Sequence, residues 1–117
     1  MQKFVALYTG SASAFERAKW NEMDAQTRKQ REDAGMKAWH EWGVKHARSI
    51  VDQGSPLGRT KRVGKDGITD ITNPIAGYVI VQAESHEAAA KLFEGHPHFA
   101  IFPGDSVEIM PCTPIPR

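Results

Sequence analysis

Nine residues, IAGYVIVQA at 75–83, constrain the fold of this 117-residue chain more than any other stretch. In an extended chain Tyr78, Ile80 and Gln82 lie on one face and Gly77, Val79, Val81 and Ala83 on the other. Both faces are largely apolar, which predicts a central strand covered on both sides. Such a strand needs neighbours, and the sequence offers them. KFVALYTG near the start is a run of aromatic and β-branched residues closed by Thr9 and Gly10, and SVEIMP near the end alternates. LGRTKRVGKDGITDI reads as two polar-faced strands about Asp66-Gly67, a dipeptide suited to a type I′ hairpin turn.

Helical signals fill the gaps. SASAFERAKWNEMDAQTRKQRED is rich in Ala, Glu, Lys, Arg and Gln, with Ser11 or Ser13 available as N-cap. From Asp33 the apolar positions sharpen: Met36, Gly43, Ala47, Ile50 and Val51 share one side of a 3.6-residue wheel, with Trp39 and Val44 at its margins. This predicts an amphipathic helix to about Val51, stopped by DQGSP. Ser85 then caps a helix through HEAAAKLFEG, with Ala88, Ala89, Leu92 and Phe93 inward.

The order β, α, β, β, α, β with right-handed crossovers predicts a ferredoxin-like α+β domain: a four-stranded antiparallel sheet with both helices on one face. The length suits a single domain over 1–117. The second sheet face has no helix to cover it, so a homodimer through sheet faces is expected. With 15 basic residues against 14 acidic and a net charge of +1, nothing predicts a nucleic-acid partner. The single cysteine, Cys112, fits a reducing compartment, and the five-residue apolar run FVALY is too short for a membrane span, so a cytoplasmic protein without a membrane partner is expected.

The candidate site residues follow from this placement. On the wheel His40 lies near the middle of the apolar face, among Val44, Ala47 and Val51. A buried imidazole there must have partners, because an unpaired one costs about 1–3 kcal/mol. His40 is thus either a satisfied core histidine or an acid–base group paired with a carboxylate. Asp52, at the end of the same helix, and Asp70, on the sheet, are the alternative partners. His46 lies at the edge of the apolar stripe, Trp39 offers an aromatic wall, and Tyr8 and Tyr78 supply phenolic hydroxyls if they project to the same side. His96 and His98, in HPH, have a spacing that chelates a metal only with a third ligand from Asp105, Glu94 or Glu108. No zinc or iron signature is present, so neither metal nor cofactor is expected; Pro97 with its histidines reads foremost as a helix stop, and His96 and His98 form a secondary substrate-binding site if the loop folds back over the pocket mouth.

The strings AWHEWGVKHARSIVDQGSPLG, GYVIVQAESHEAAAKLFEGHPHF and GDSVEIMP together resemble the YCII-related group, which includes proteins labelled by a DGPF motif and belongs to the dimeric α/β-barrel superfamily. The resemblance implies a dimeric α/β barrel. It also implies a small-molecule enzyme in which a helix histidine and a nearby aspartate act as acid and base in a cleft between first helix and sheet. Those roles would fall to His40 and to Asp70, the latter in TDITNPIAGY where the group has its DGPF string. The superfamily also holds non-catalytic binding and regulatory members, which leaves a dimeric ligand-binding module as the alternative.

Overall fold

A computed structural model describes residues 1–116. Strands β1 (Gln2–Thr9), β2 (Ile50–Pro56), β5 (Ile75–Ala83) and β6 (Ser106–Pro111) form one antiparallel sheet in the order β2-β5-β1-β6. Helices α1 (Ala12–Arg17), α2 (Ala25–Lys45), α3 (His86–Lys91) and α4 (Pro97–Ala100) complete the α+β, ferredoxin-like protomer. Strands β3 (Thr60–Gly64) and β4 (Gly67–Ile71) pair only with each other, as a hairpin inserted between β2 and β5.

The core lies between the sheet and the helices. Phe4, Ala6 and Tyr8 of β1 alternate inward beside Val79, Val81 and Ala83 of β5, and Ala89 and Phe93 cover them. Phe4 and Val81 are wholly removed from water, worth about 1.5–3 kcal/mol each. As expected for a central strand, β5 has a neighbour on each side, and β1 shares the middle of the sheet with it. The other sheet face carries Val5, Leu7, Tyr78 and Ile80, which no helix covers. Ser11 and Ser85 cap α1 and α3 by accepting from the Ala14 and Ala88 amides.

Four expectations change. The segment from Ser11 to Asp33 is not one helix: α1 ends at Arg17, a 3-10 turn spans Trp20–Glu22, and α2 begins at Ala25 behind an Asp24 cap. The long helix ends at Lys45, not near Val51, and Ile50 and Val51 begin the edge strand β2. Without those two residues the apolar face turns: Trp39 and Trp42 pack on the core, Gly35 abuts Phe102, and Met36 and Val44 are 61% and 65% exposed. The hairpin stands apart from the main sheet, so Asp70 is not on it. Its two-residue loop is Lys65-Asp66, neither at positive φ, because Gly64 pairs with Gly67. Finally, Tyr8 pairs with Gly77 and Leu7 with Tyr78, so Tyr8 and Tyr78 occupy opposite faces.

Candidate functional site

A cavity of about 730 Å³ lies between α2, the β1-β5-β2 part of the sheet and the segment after α4. Its apolar wall is aromatic: Trp39, Trp42 and Phe102 stand beside Val79 and Ile50, and Gln53–Pro56 close one side. No Asp, Glu, Lys or Arg borders it among the described residues. A ligand entering here leaves water without meeting a formal charge, which favours a neutral, largely apolar molecule.

Polar groups converge at one end. Tyr8 and His98 border the cavity, while His96 lies behind them with none of its surface exposed. The His96 Nδ1 accepts from the His98 backbone N–H at 3.0 Å, and its Nε2 lies 3.4 Å from the Tyr8 hydroxyl. Trp39 and Trp42 present their faces or edges to the ring at 4.5 and 4.7 Å between centroids, with Phe93 at 5.8 Å. Burial in this aromatic cage, and then the nearby His98 and His46, pull the His96 pKa down to about 4. The ring is therefore neutral at pH 7. Burial likewise pushes the Tyr8 hydroxyl above the ordinary tyrosine range, so it stays a phenol.

His98 is oriented by the main chain. Its Nε2–H donates to the Thr9 carbonyl at 2.6 Å, which leaves Nδ1 as the unprotonated nitrogen of the neutral ring. Nδ1 has no protein partner among the described residues. Among those residues only Arg28 Nε is both buried and unpartnered, so Nδ1 keeps some exposure, on a residue that borders the cavity. Gly104 permits this placement, because a Cβ there would lie 2.3 Å from His98 Nε2. A Cβ there would also lie 2.5 Å from the His98 carbonyl oxygen, so Gly104→Ala is expected to break the Thr9 bond, lower the melting temperature and weaken ligand binding at least about tenfold; unchanged melting and affinity would contradict this.

The remaining candidates scatter. His40 is exposed and lines the mouth of the cavity rather than being buried, and it has no carboxylate partner among the described residues. Asp52 accepts from the Gly54 amide at 2.8 Å within β2, and Asp70 pairs with Lys61 at 2.7 Å on the hairpin; neither borders the cavity. His46 stacks on Trp42 outside the cavity, its pKa lowered by burial and then by Lys45. Tyr78 meets the cavity at the strand wall, its ring on the far face. Among the described residues no group of three or more His, Cys, Asp or Glu is placed to hold a metal, so HPH finds no third ligand. Phe102 and Gly104, which sequence reasoning passed over, carry no signal beyond their place in the loop between α4 and β6.

These features define a ferredoxin-like α+β domain with an aromatic pocket whose polar end is built from a tyrosine and two histidines. No family model matches the chain, and no curated protein does. Among solved structures it is similar to the 5-chloro-2-hydroxyhydroquinone dehydrochlorinase of Burkholderia phenoliruptrix AC1100, determined with 2,5-dihydroxybenzoquinone. That likeness covers 94% of this chain and 91% of that one, at a TM-score of 0.50 and 14% identity. It is a likeness of fold alone. No helix among the described residues is long and apolar enough to cross a membrane.

Proposed function

We propose that the cavity binds a small planar molecule with an acidic O–H or C–H, and that His98 accepts the proton. The observation that carries this reading is the bond from His98 Nε2–H to Thr9, which leaves Nδ1 basic and unpartnered at the end of an aromatic pocket. In the step itself the ligand's O–H or C–H bond breaks and an Nδ1–H bond forms. The electron pair stays on the ligand as a phenolate or enolate, and the proton returns to the ligand later. Asp105, held below the usual carboxylate range chiefly by the Ser11 hydroxyl and then by Arg17, lies close enough to His98 to sense it. His40, at the mouth, meets the outer edge of the ligand.

Hydroxylated quinones and hydroquinones are the class to try first, because the structural neighbour of this fold is described as acting on a chlorinated hydroxyhydroquinone. Saturable quenching of Trp39 and Trp42 emission by 2,5-dihydroxybenzoquinone is expected. His98→Ala should weaken it about 10- to 100-fold, the loss of one hydrogen bond to a charged group, and His40→Ala much less. Quenching that fails to saturate, or that is indifferent to His98, would sink the proposal. Binding without turnover, as in a ligand-responsive module, is the second reading, favoured by the lack, among the described residues, of any carboxylate at the pocket to share proton transfer.

We also propose a cytoplasmic homodimer built on the uncovered face of Val5, Leu7, Tyr78 and Ile80. An apolar surface of this kind is ordinarily covered. Sedimentation should show a dimer at micromolar concentration and a monomer for Ile80→Asp; a monomeric wild type would contradict this.

A further inference from the structure

We propose that His96, which does not touch the pocket, fixes the direction of a hydrogen-bond chain so that Tyr8 offers its hydroxyl proton to the ligand, making the site selective for a phenolate or enolate oxygen at that position. This rests on the pocket reading above and adds the residue that sets what the pocket recognises.

The direction follows from the donors. A backbone N–H cannot accept, so the His98 amide fixes Nδ1 of His96 as the acceptor. A neutral imidazole has one proton, which must then reside on Nε2. Nε2–H points at the Tyr8 hydroxyl 3.4 Å away, and Tyr8 accepts. The reverse arrangement, with Tyr8 donating to Nε2, would leave both ring nitrogens without a proton. Tyr8 thus has an O–H with no acceptor among the described residues, on a side chain that borders the cavity. The cage of Trp39, Trp42 and Phe93 gives His96 no third polar partner and resists rotation of the ring.

The outcome is a matched pair of groups. His98 Nδ1 takes a proton from the ligand, and the oxygen that becomes negative accepts from Tyr8, a donor oriented before the ligand arrives. His96 is a positioning residue. The titratable groups that face Tyr8 are His96 and His98; His46 acts on His96 from the end of α2, His40 stands at the mouth, and Asp105 with Arg17 lies behind His98.

4-Nitrophenol is a suitable probe, since its hydroxyl titrates near neutrality and its two forms absorb differently. Bound to the wild type, it should be about tenfold richer in phenolate than free probe at the same pH, the worth of one charge-assisted hydrogen bond. Tyr8→Phe should remove that tenfold and leave only what His98 contributes, His96→Leu should do the same, and the double variant should lose no more than either alone. His96→Gln, whose amide restores an N–H at the Nε2 position, should recover much of it. Enrichment undiminished by Tyr8→Phe would overturn the inference and leave the pocket reading standing, whereas a bound probe with unshifted titration would overturn both. Failure of the probe to bind at millimolar concentration would overturn both. Because His96→Leu carries a risk of misfolding, the wild-type ring is also read directly: nitrogen shifts should show Nδ1 unprotonated and Nε2 protonated, and the opposite tautomer would refute the chain.

Discussion

Between pH 6.5 and 4 the free energy of unfolding is expected to fall by roughly 3 kcal/mol on account of His96 alone, the span from an ordinary histidine pKa down to about 4. Above pH 6.5 the ring is neutral in both folded and unfolded chains, so it adds no slope. Below 6.5 the unfolded chain takes up a proton that the caged ring refuses, and stability declines. Near pH 4 the folded ring titrates as well, and this contribution levels off. His46, whose pKa is also lowered, acts in the same direction. Asp24, lowered chiefly by the Thr27 amide, and Asp105 lose their contributions only at still lower pH, so the window from 6.5 to 4 belongs to histidine. Denaturant unfolding at half-unit pH steps provides the check. His96→Gln should flatten most of the slope, and a wild type equally stable at pH 6.5 and 4.5 would contradict the burial of a neutral ring.

Gly54→Ala is expected to cost roughly 3–5 kcal/mol and to abolish ligand binding. Gly54 sits at φ 65° in β2, inside a register shift between Asp52 and Ser55, where the Asp52 carboxylate accepts its amide. A Cβ there would fall 1.8 Å from the Tyr78 carbonyl oxygen and 2.6 Å from its carbon. Those are backbone atoms of the neighbouring strand, so relief requires β2 to part from β5. Since Gln53–Pro56 form one wall of the cavity, the pocket opens with it. Gly43 in α2 is the contrast: an added Cβ meets nothing within 4 Å, and Gly43→Ala should stabilise by about 0.5–1 kcal/mol. Unfolding midpoints that fail to separate the two substitutions would contradict the strand geometry.

These two glycines show what the sequence made legible. Strands with strict alternation, β1, β5 and β6, and helices with a serine cap were readable because local pattern and tertiary role agree. The end of α2 was not. No glycine or proline punctuates the stretch from His46 to Ser49, and Ile50 and Val51 suit a helix wheel as well as a strand, so Gly54 reads as a helix stop although it serves as a strand bulge. The boundary bears on the site: a wheel carried on through Ala47, Ile50 and Val51 puts His40 within the apolar face, whereas with α2 ending at Lys45 it lies exposed at the cavity mouth. Of the candidate site residues the sequence singles out, Tyr8, Trp39, His40, Tyr78 and His98 border the cavity. The part of His96 could not be read, because its contact with Tyr8 joins residues 88 apart in the chain. HPH marks a helix stop and, once folded, also brings two imidazoles beneath the sheet-facing side of α2.

The most direct test of the pocket as a proton-handling site follows the histidine ring nitrogens by NMR while 4-nitrophenol is added to the wild-type protein. His98 Nδ1 should move from the unprotonated to the protonated range and saturate at one probe per chain, with His96 unprotonated at Nδ1 throughout and His40 nearly still. A saturating change at His40 with His98 unmoved would contradict it.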